Sequence, residues 1–97
     1  MLPAAMARRL TIRLQPLSGT VERFYAFVDC KKRIAADGTE SASWTGDVAD
    51  DEAIVKVRVF GVGKAKYRVS IDLPGTADDQ NLDLWLDQGY GELELRI

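Results

Sequence analysis

The sequence of 97 residues contains no histidine, so it lacks the side chain most often used in catalysis and in zinc binding. Neither a Ser-His-Asp nor a Cys-His centre forms without histidine, which excludes most hydrolase mechanisms. The single cysteine, Cys30, allows no intrachain disulfide and favours a reducing compartment. We therefore expect a protein that is not an enzyme and has no catalytic residues, cofactor or metal.

Long apolar runs and targeting signals are also lacking. No stretch approaches the roughly 20 apolar residues that span a bilayer. The start, MLPAAMARRL, does not fit a secretory signal, because its positive charges follow a short apolar run instead of preceding a longer one. We expect a soluble, cytoplasmic protein with no membrane partner. A mature secreted or periplasmic domain is the alternative.

An excess of basic charge is the third absence. The chain has 13 Lys and Arg against 15 Asp and Glu, a net charge of −2, whereas dedicated nucleic-acid binders are usually strongly basic. The hydrophobic content of 46% is enough for one compact core, and the length corresponds to one domain. We predict a flexible N-terminal lead at 1–8 and a single β-sandwich domain at 9–97.

What the sequence does contain is alternation of apolar and polar residues, most clearly at 53–73. The segments AIVKVRVF and KYRVSIDL both alternate with a period of two, which gives a strand one buried and one wet face. The glycines of the connecting segment GVGKA permit positive φ angles. We therefore predict a hairpin formed by two strands at 53–60 and 66–73.

The same pattern predicts six further strands. They lie at 9–15, ended by Pro16; at 21–29, a central strand that is apolar on both faces; at 31–36 and 39–45, joined as a hairpin at Asp37-Gly38; at 82–88; and at 90–97. The acidic segments 46–52 and 76–81 are predicted loops. No helix is expected.

Eight short strands separated by turn signals are typical of an all-β, single-domain antiparallel β-sandwich, with a small β-barrel as the alternative. The strand count and spacing are similar to those of immunoglobulin-like and fibronectin-type sandwiches. The Cys…Trp…Cys arrangement of immunoglobulin domains is absent, so the similarity concerns architecture and assigns no family.

Charged residues of opposite sign occupy the polar positions of different strands. The basic ones are Lys56, Arg58, Lys64, Lys66 and Arg68, and the acidic ones are Asp83, Asp87, Glu92 and Glu94. If the strands that carry them are neighbours in one sheet, opposite charges face each other. If they lie in different sheets, the molecule has one basic and one acidic face, which would favour charged partners.

Two side chains outside this charge pattern suggest contrasting environments. Trp85 lies between two aspartates at a polar position, where an exposed indole suits a protein hot spot or sugar stacking, and a covering loop is the alternative. Trp44 and Tyr90 would join it if the loops bring them together. Cys30 extends the apolar face of the strand at 21–29, so we predict a buried, unreactive thiol.

The function that these patterns favour is a non-catalytic protein–protein interaction module or assembly subunit. It binds a protein partner, or a second copy of itself, through an edge strand and through the charged faces. The predicted contact residues are Lys56, Arg58, Lys66, Arg68, Asp83, Trp85, Asp87, Glu92 and Glu94.

The alternative is a carbohydrate- or calcium-associated module that uses the two tryptophans or the acidic clusters. Those clusters comprise Asp47, Asp50, Asp51, Glu52, Asp78 and Asp79. Hard oxygen ligands suit calcium, although neither cluster has the spacing of a calcium loop. We expect no nucleic-acid partner, because the net charge is negative and the basic positions lack interleaved exposed aromatic residues.

Overall fold

The computed structural model describes residues 7–49, 52–73 and 79–97. In these segments the chain forms eight β-strands, as predicted, and no helix. The strands are β1 (Ala7–Ser18), β2 (Val21–Val28), β3 (Lys31–Asp37), β4 (Ala42–Ala49), β5 (Ile54–Gly61), β6 (Lys66–Asp72), β7 (Gln80–Trp85) and β8 (Tyr90–Arg96).

The strands form two four-stranded sheets, and every pairing is antiparallel. Sheet A has the order β4-β1-β6-β7, and sheet B has the order β3-β2-β5-β8. The inner faces of the two sheets enclose a common hydrophobic core. This arrangement confirms the all-β sandwich expected from the spacing of the strands.

The core is built from the alternating apolar residues of the four central strands. The buried positions of β1, β2, β5 and β6 are Leu10, Ile12, Leu14, Val21, Phe24, Ala26, Val28, Val55, Val57, Val59, Tyr67, Val69 and Ile71. No polar or charged residue other than Tyr67 is buried among the described residues. The intervening side chains therefore form the two outer faces of the sandwich.

The predicted hairpin at 53–73 is wrong, although both of its strands exist. β5 pairs with β2 and β8 in sheet B, whereas β6 pairs with β1 and β7 in sheet A. The connecting loop crosses between the sheets, held by hydrogen bonds from Val62 N to Thr20 O (2.9 Å) and from Gly89 N to Gly63 O (2.9 Å). Gly63 has the predicted positive φ, +59°.

The hairpin predicted at Asp37-Gly38 is wrong for the same reason. The turn itself is present, since the Asp37 carboxylate accepts a hydrogen bond from Thr39 N at 2.9 Å. The chain nevertheless passes from β3 in sheet B to β4 in sheet A. β4 begins at Ala42 and continues to Ala49, so the first part of the predicted loop at 46–52 is strand.

β1 is longer at both ends than predicted. It continues through Pro16, with a register shift against β6 between Pro16 and Ser18. β4 no longer pairs with β1 there, so the missing N–H of proline breaks no ladder on that side. At the other end β1 includes Ala7 and Arg8, which were predicted to belong to the lead; residues 1–6 lie outside the described part.

Candidate binding surfaces

The predicted contact residues are divided between the two outer faces. Lys66, Arg68, Asp83 and Trp85 lie on sheet A, and Lys56, Arg58, Glu92 and Glu94 lie on sheet B. Asp87 lies in the turn before β8, and Lys64 lies in the exposed loop between β5 and β6. Neither sheet has a face of a single sign, because each acidic strand pairs with a basic one.

The register places opposite charges face to face in both sheets. Arg68 lies opposite Asp83 in sheet A, and Arg58 lies opposite Glu92 in sheet B. The arrangement in which opposite charges face each other across strands is therefore the one observed. The four strands that bear these charges are the ones predicted, but the two basic strands, β5 and β6, belong to different sheets instead of forming one hairpin.

In sheet A this register produces a two-pronged ion pair. Arg68 Nε and Nη2 donate to the two carboxylate oxygens of Asp83 at 2.6 and 3.1 Å. The hydrogen bonds from Arg68 lower the pKa of the Asp83 carboxyl, and the same contact raises the pKa of Arg68. A second pair joins Arg9 to Asp47 at 3.4 Å on the same face. Arg9 and Arg68 are therefore already paired with carboxylates of the same molecule.

Trp85 is exposed, with 61% of its surface accessible, but one face of its ring is covered. Lys66 Nζ lies 4.8 Å from the centre of the indole. Trp44 lies on β4, the opposite edge of sheet A, where it is half-buried against the core, and Tyr90 lies on the outer face of sheet B. The three rings therefore do not form a common sugar-binding platform.

The outer face of sheet B carries a cluster of four aromatic side chains. They are Tyr25, Phe27, Phe60 and Tyr90. The ring of Phe60 lies edge-on to Tyr25 at 5.9 Å and tilted against Tyr90 at 5.1 Å, measured between centroids. Phe60 and Tyr90 are 39% and 37% exposed. The cluster is thus a partly exposed apolar patch on an otherwise polar face.

Cations on this face lie over the rings. Arg23 and Lys32 approach the ring of Tyr25 at 5.4 and 5.5 Å, and Arg58 approaches Phe27 at 5.7 Å. The three ion pairs found among the described residues include none of these cations, nor Lys56. Although Arg58 faces Glu92 in register, that carboxylate accepts a hydrogen bond from the Tyr90 hydroxyl at 3.0 Å.

The expectation that the basic positions lack interleaved exposed aromatics is wrong for sheet B. The pattern that could have revealed them is the strand at 21–29, which is apolar at both even and odd positions. A strand that is apolar on both faces is typical of one covered on both sides, but Tyr25 and Phe27 are only half-buried, because no element of the described chain packs outside sheet B. Together with Lys32, Arg58 and Phe60 they line a shallow groove of about 320 Å³.

The Tyr90 hydroxyl is an ionisable group of this face and lies next to Glu92. Partial removal from water and the hydrogen bond to Glu92 raise the pKa of the Tyr90 hydroxyl. The hydroxyl therefore stays protonated and remains a donor at neutral pH. One carboxylate oxygen of Glu92 is thus hydrogen-bonded to a neighbouring side chain on the same strand, and the ion pairs found among the described residues do not include Arg58.

Strand β8 is an edge of sheet B, as the prediction of an edge-strand site requires. Ala53 and Ile97 exchange both backbone hydrogen bonds, at 2.8 and 2.9 Å. Such pairs recur at every second residue of an antiparallel ladder, so the backbone groups of Glu92, Glu94 and Arg96 point away from β5. No strand of the described chain pairs with that side of β8.

The two long sides of the sandwich are closed to different extents. Between the edges β3 and β4, Trp44 packs against the core and Arg33 lies 5.3 Å from its ring centre. Between β7 and β8, the leucines that face inward (Leu82, Leu84, Leu93 and Leu95) are only half-buried. The side that includes β8 therefore has apolar surface left to cover.

Cys30 is exposed, so the predicted buried thiol is wrong. β2 ends at Val28, which pairs with Lys31 across a two-residue turn made of Asp29 and Cys30. Both turn residues have positive φ, +48° and +69°, as a type I′ turn requires. The Asp29 carboxylate fixes this turn by accepting a hydrogen bond from Ile54 N at 2.9 Å.

The described members of the acidic clusters are engaged separately. Asp47 contacts Arg9, Glu52 contacts Arg96 at 3.6 Å, and Asp79 accepts a hydrogen bond from Leu73 N at 2.8 Å. The remaining members, at 50, 51 and 78, lie outside the described residues. Within the described residues, no group of three or more candidate ligands could hold a metal ion.

No family model, curated protein or solved structure matches this chain. A search of the described residues for a long apolar helix able to cross a membrane also finds none. The function must therefore be inferred from the edges and faces of the sandwich.

Proposed function

We propose that this chain is a non-catalytic protein-interaction module that binds an extended segment of a partner protein alongside β8. The observation that carries the proposal is the free edge of β8, where the backbone groups of Glu92, Glu94 and Arg96 point outward next to half-buried leucines. A strand added there gains main-chain hydrogen bonds and covers apolar surface. The exposed free thiol of Cys30 supports a location in the cytoplasm, where thiols remain reduced.

The charges on β8 define the chemistry of the segment. Glu92 and Glu94 favour basic residues directly opposite, and Leu93 and Leu95 favour apolar residues between them. β5 meets these requirements from the other side, where Lys56 faces Glu94, Arg58 faces Glu92, and Val55 and Val57 face Leu95 and Leu93. A peptide that copies Ile54–Gly61 is therefore a suitable probe.

The test is to titrate this labelled peptide against the protein and against a variant with a blocked edge. Among the backbone groups, Glu94→Pro removes only an N–H that points away from β5, so the hydrogen bonds between β5 and β8 stay intact. Glu94→Thr is the matched control, because it removes the same charge and keeps the N–H. We expect Glu94→Pro to weaken binding roughly tenfold or more relative to Glu94→Thr, since strand addition depends on the main chain.

A second peptide with both basic residues changed to glutamate should bind more weakly than the first, because like charges would then face each other. Equal binding of the first peptide to Glu94→Pro and Glu94→Thr would contradict the proposal. Light scattering without peptide covers self-association: a wild-type dimer that Glu94→Pro converts to a monomer would assign the edge to a second copy of the chain.

A further inference from the structure

The groove on the outer face of sheet B has the features of a site for an anionic group. Tyr25, Phe27 and Phe60 supply its apolar surface, and Lys32 and Arg58 both line it. No ion pair found among the described residues involves either cation. A carboxylate that enters the groove therefore lies near two cations, beside aromatic rings that are partly shielded from water.

We infer that this groove binds an acidic segment of a partner protein, one that carries one or two carboxylates beside an aromatic or apolar side chain. The carboxylate pairs with Arg58 and Lys32, and Arg58 can do so with two parallel hydrogen bonds. The neighbouring apolar side chain packs on Phe60 and Tyr25. Tyrosine and arginine, together with tryptophan, are enriched in binding hot spots, which is consistent with this use of the face.

The acidic residues around the groove limit how many negative charges the ligand can carry. On one side of the groove, Glu92 and Glu94 of β8 lie opposite Arg58 and Lys56. On the other side, Asp37 lies on β3. A single-stranded nucleic acid crossing the sheet would bring further phosphates close to these carboxylates. The net charge of −2 adds to that repulsion. A segment with one or two carboxylates meets the cations without reaching the acidic border.

The groove and the edge of β8 are separate surfaces. The edge offers backbone groups, whereas the groove offers side chains of β2, β3 and β5. The inference therefore goes beyond the proposed function, and the two use different probes. Loss of the edge site would appear as failure to bind the copy of β5, whatever the result for the groove.

The probe is a short synthetic peptide with the sequence Gly-Ser-Phe-Asp-Ser-Gly. Its binding is monitored by nuclear magnetic resonance of the ¹⁵N-labelled protein. We expect the signals of Tyr25, Arg58 and Phe60 to move on titration. The matching peptide with asparagine in place of aspartate should bind roughly tenfold more weakly, the loss expected when a charge-assisted hydrogen bond is removed. An oligothymidylate serves as the nucleic-acid probe and should bind more weakly than the acidic peptide.

Two arginine variants locate the site. Arg58→Gln should weaken binding of the acidic peptide roughly tenfold. Arg13→Gln should leave it unchanged, because Arg13 is an exposed arginine of a central strand on the other face. Equal loss in both variants would overturn the inference, as would tighter binding of the oligothymidylate or equal binding of the aspartate and asparagine peptides. Unchanged melting temperatures exclude unfolding as the cause.

Discussion

The two outer faces of the sandwich follow the same rule of pairing but reach different results. In sheet A, Arg68 faces Asp83 and forms an ion pair with two hydrogen bonds. In sheet B, Arg58 faces Glu92 in an equivalent register, yet it lies over the ring of Phe27. Register thus brings opposite charges together, but the neighbouring side chains decide whether they form a pair.

Those neighbours differ in chemistry. Beside Arg68 the outer face of sheet A carries Ser70, which donates a hydrogen bond to Asn81 at 2.7 Å, and Lys66, which lies over the ring of Trp85. Beside Arg58 there is the ring of Phe27, which attracts the cation, and a tyrosine hydroxyl that donates to one oxygen of the facing carboxylate. The aromatic face therefore keeps its cations available for a ligand, whereas in sheet A Arg9 and Arg68 are already paired.

The largest effect we expect tests the core that separates the two faces. Tyr67 of β6 is buried, and a Cβ atom at Gly91 of β8 would lie 2.7 Å from its hydroxyl oxygen. Gly91→Ala should lower the free energy of unfolding by about 1–3 kcal/mol, the usual cost of overpacking. Urea unfolding measures it, and Tyr67→Phe in the same chain should recover part of the loss. A change below about 0.5 kcal/mol would show that the sheets are packed less tightly at this point.

A smaller effect compares one exposed aromatic residue from each face. Phe60→Ala removes ring contacts with Tyr25 and Tyr90 and should cost about 1–2 kcal/mol of unfolding free energy. Trp85→Ala should cost less than about 1 kcal/mol, because the indole is mainly exposed and its identified ring contact is with Lys66. Equal losses in the two urea titrations would mean that the aromatic cluster adds nothing to sheet B.

The smallest expected effect concerns acid. The pKa of Asp83 is lower in the folded protein than the ordinary value of about 3.9. The ion pair therefore contributes its full stability above that ordinary value, and the contribution is lost as the pH falls through the lowered pKa. Titration of the Asp83 carboxyl carbon by nuclear magnetic resonance should show this lowered pKa, and Arg68→Gln should raise it. An unchanged value in the variant would remove Arg68 as the cause.

Alternation predicted the strands of this fold because burial of one strand face needs only local information. β5 and β6 both begin within one residue of their predicted starts. The sheet to which each belongs is not local information. Apolar residues of β5 and β6 point into the same core from opposite sheets, and this gives the same sequence pattern as a hairpin. The two arrangements differ only in the strands with which β5 and β6 pair, and those strands are distant in sequence.

The candidate site was predictable only in part, for physical reasons of the same kind. The positions of Arg58 and Arg68 on outer faces follow from alternation, but the partner of each depends on which strand lies alongside. The exposure of Cys30 is not predictable from alternation, because Asp29-Cys30 lacks the glycine or asparagine that usually marks a turn with positive φ. The aromatic groove is not predictable from the sequence, because apolar residues on both faces of a strand do not reveal which face remains open.

The most direct test of the difference between the faces is nuclear magnetic resonance of the arginine side chains. Asp83→Asn should shift the Nε–H signal of Arg68 strongly, because that group donates to the carboxylate at 2.6 Å. Glu92→Gln should leave the Nε–H signal of Arg58 nearly unchanged, since Arg58 lies over Phe27 instead. An equally large shift of Arg58 in the second variant would show that sheet B neutralises its cations as sheet A does, and would contradict the account.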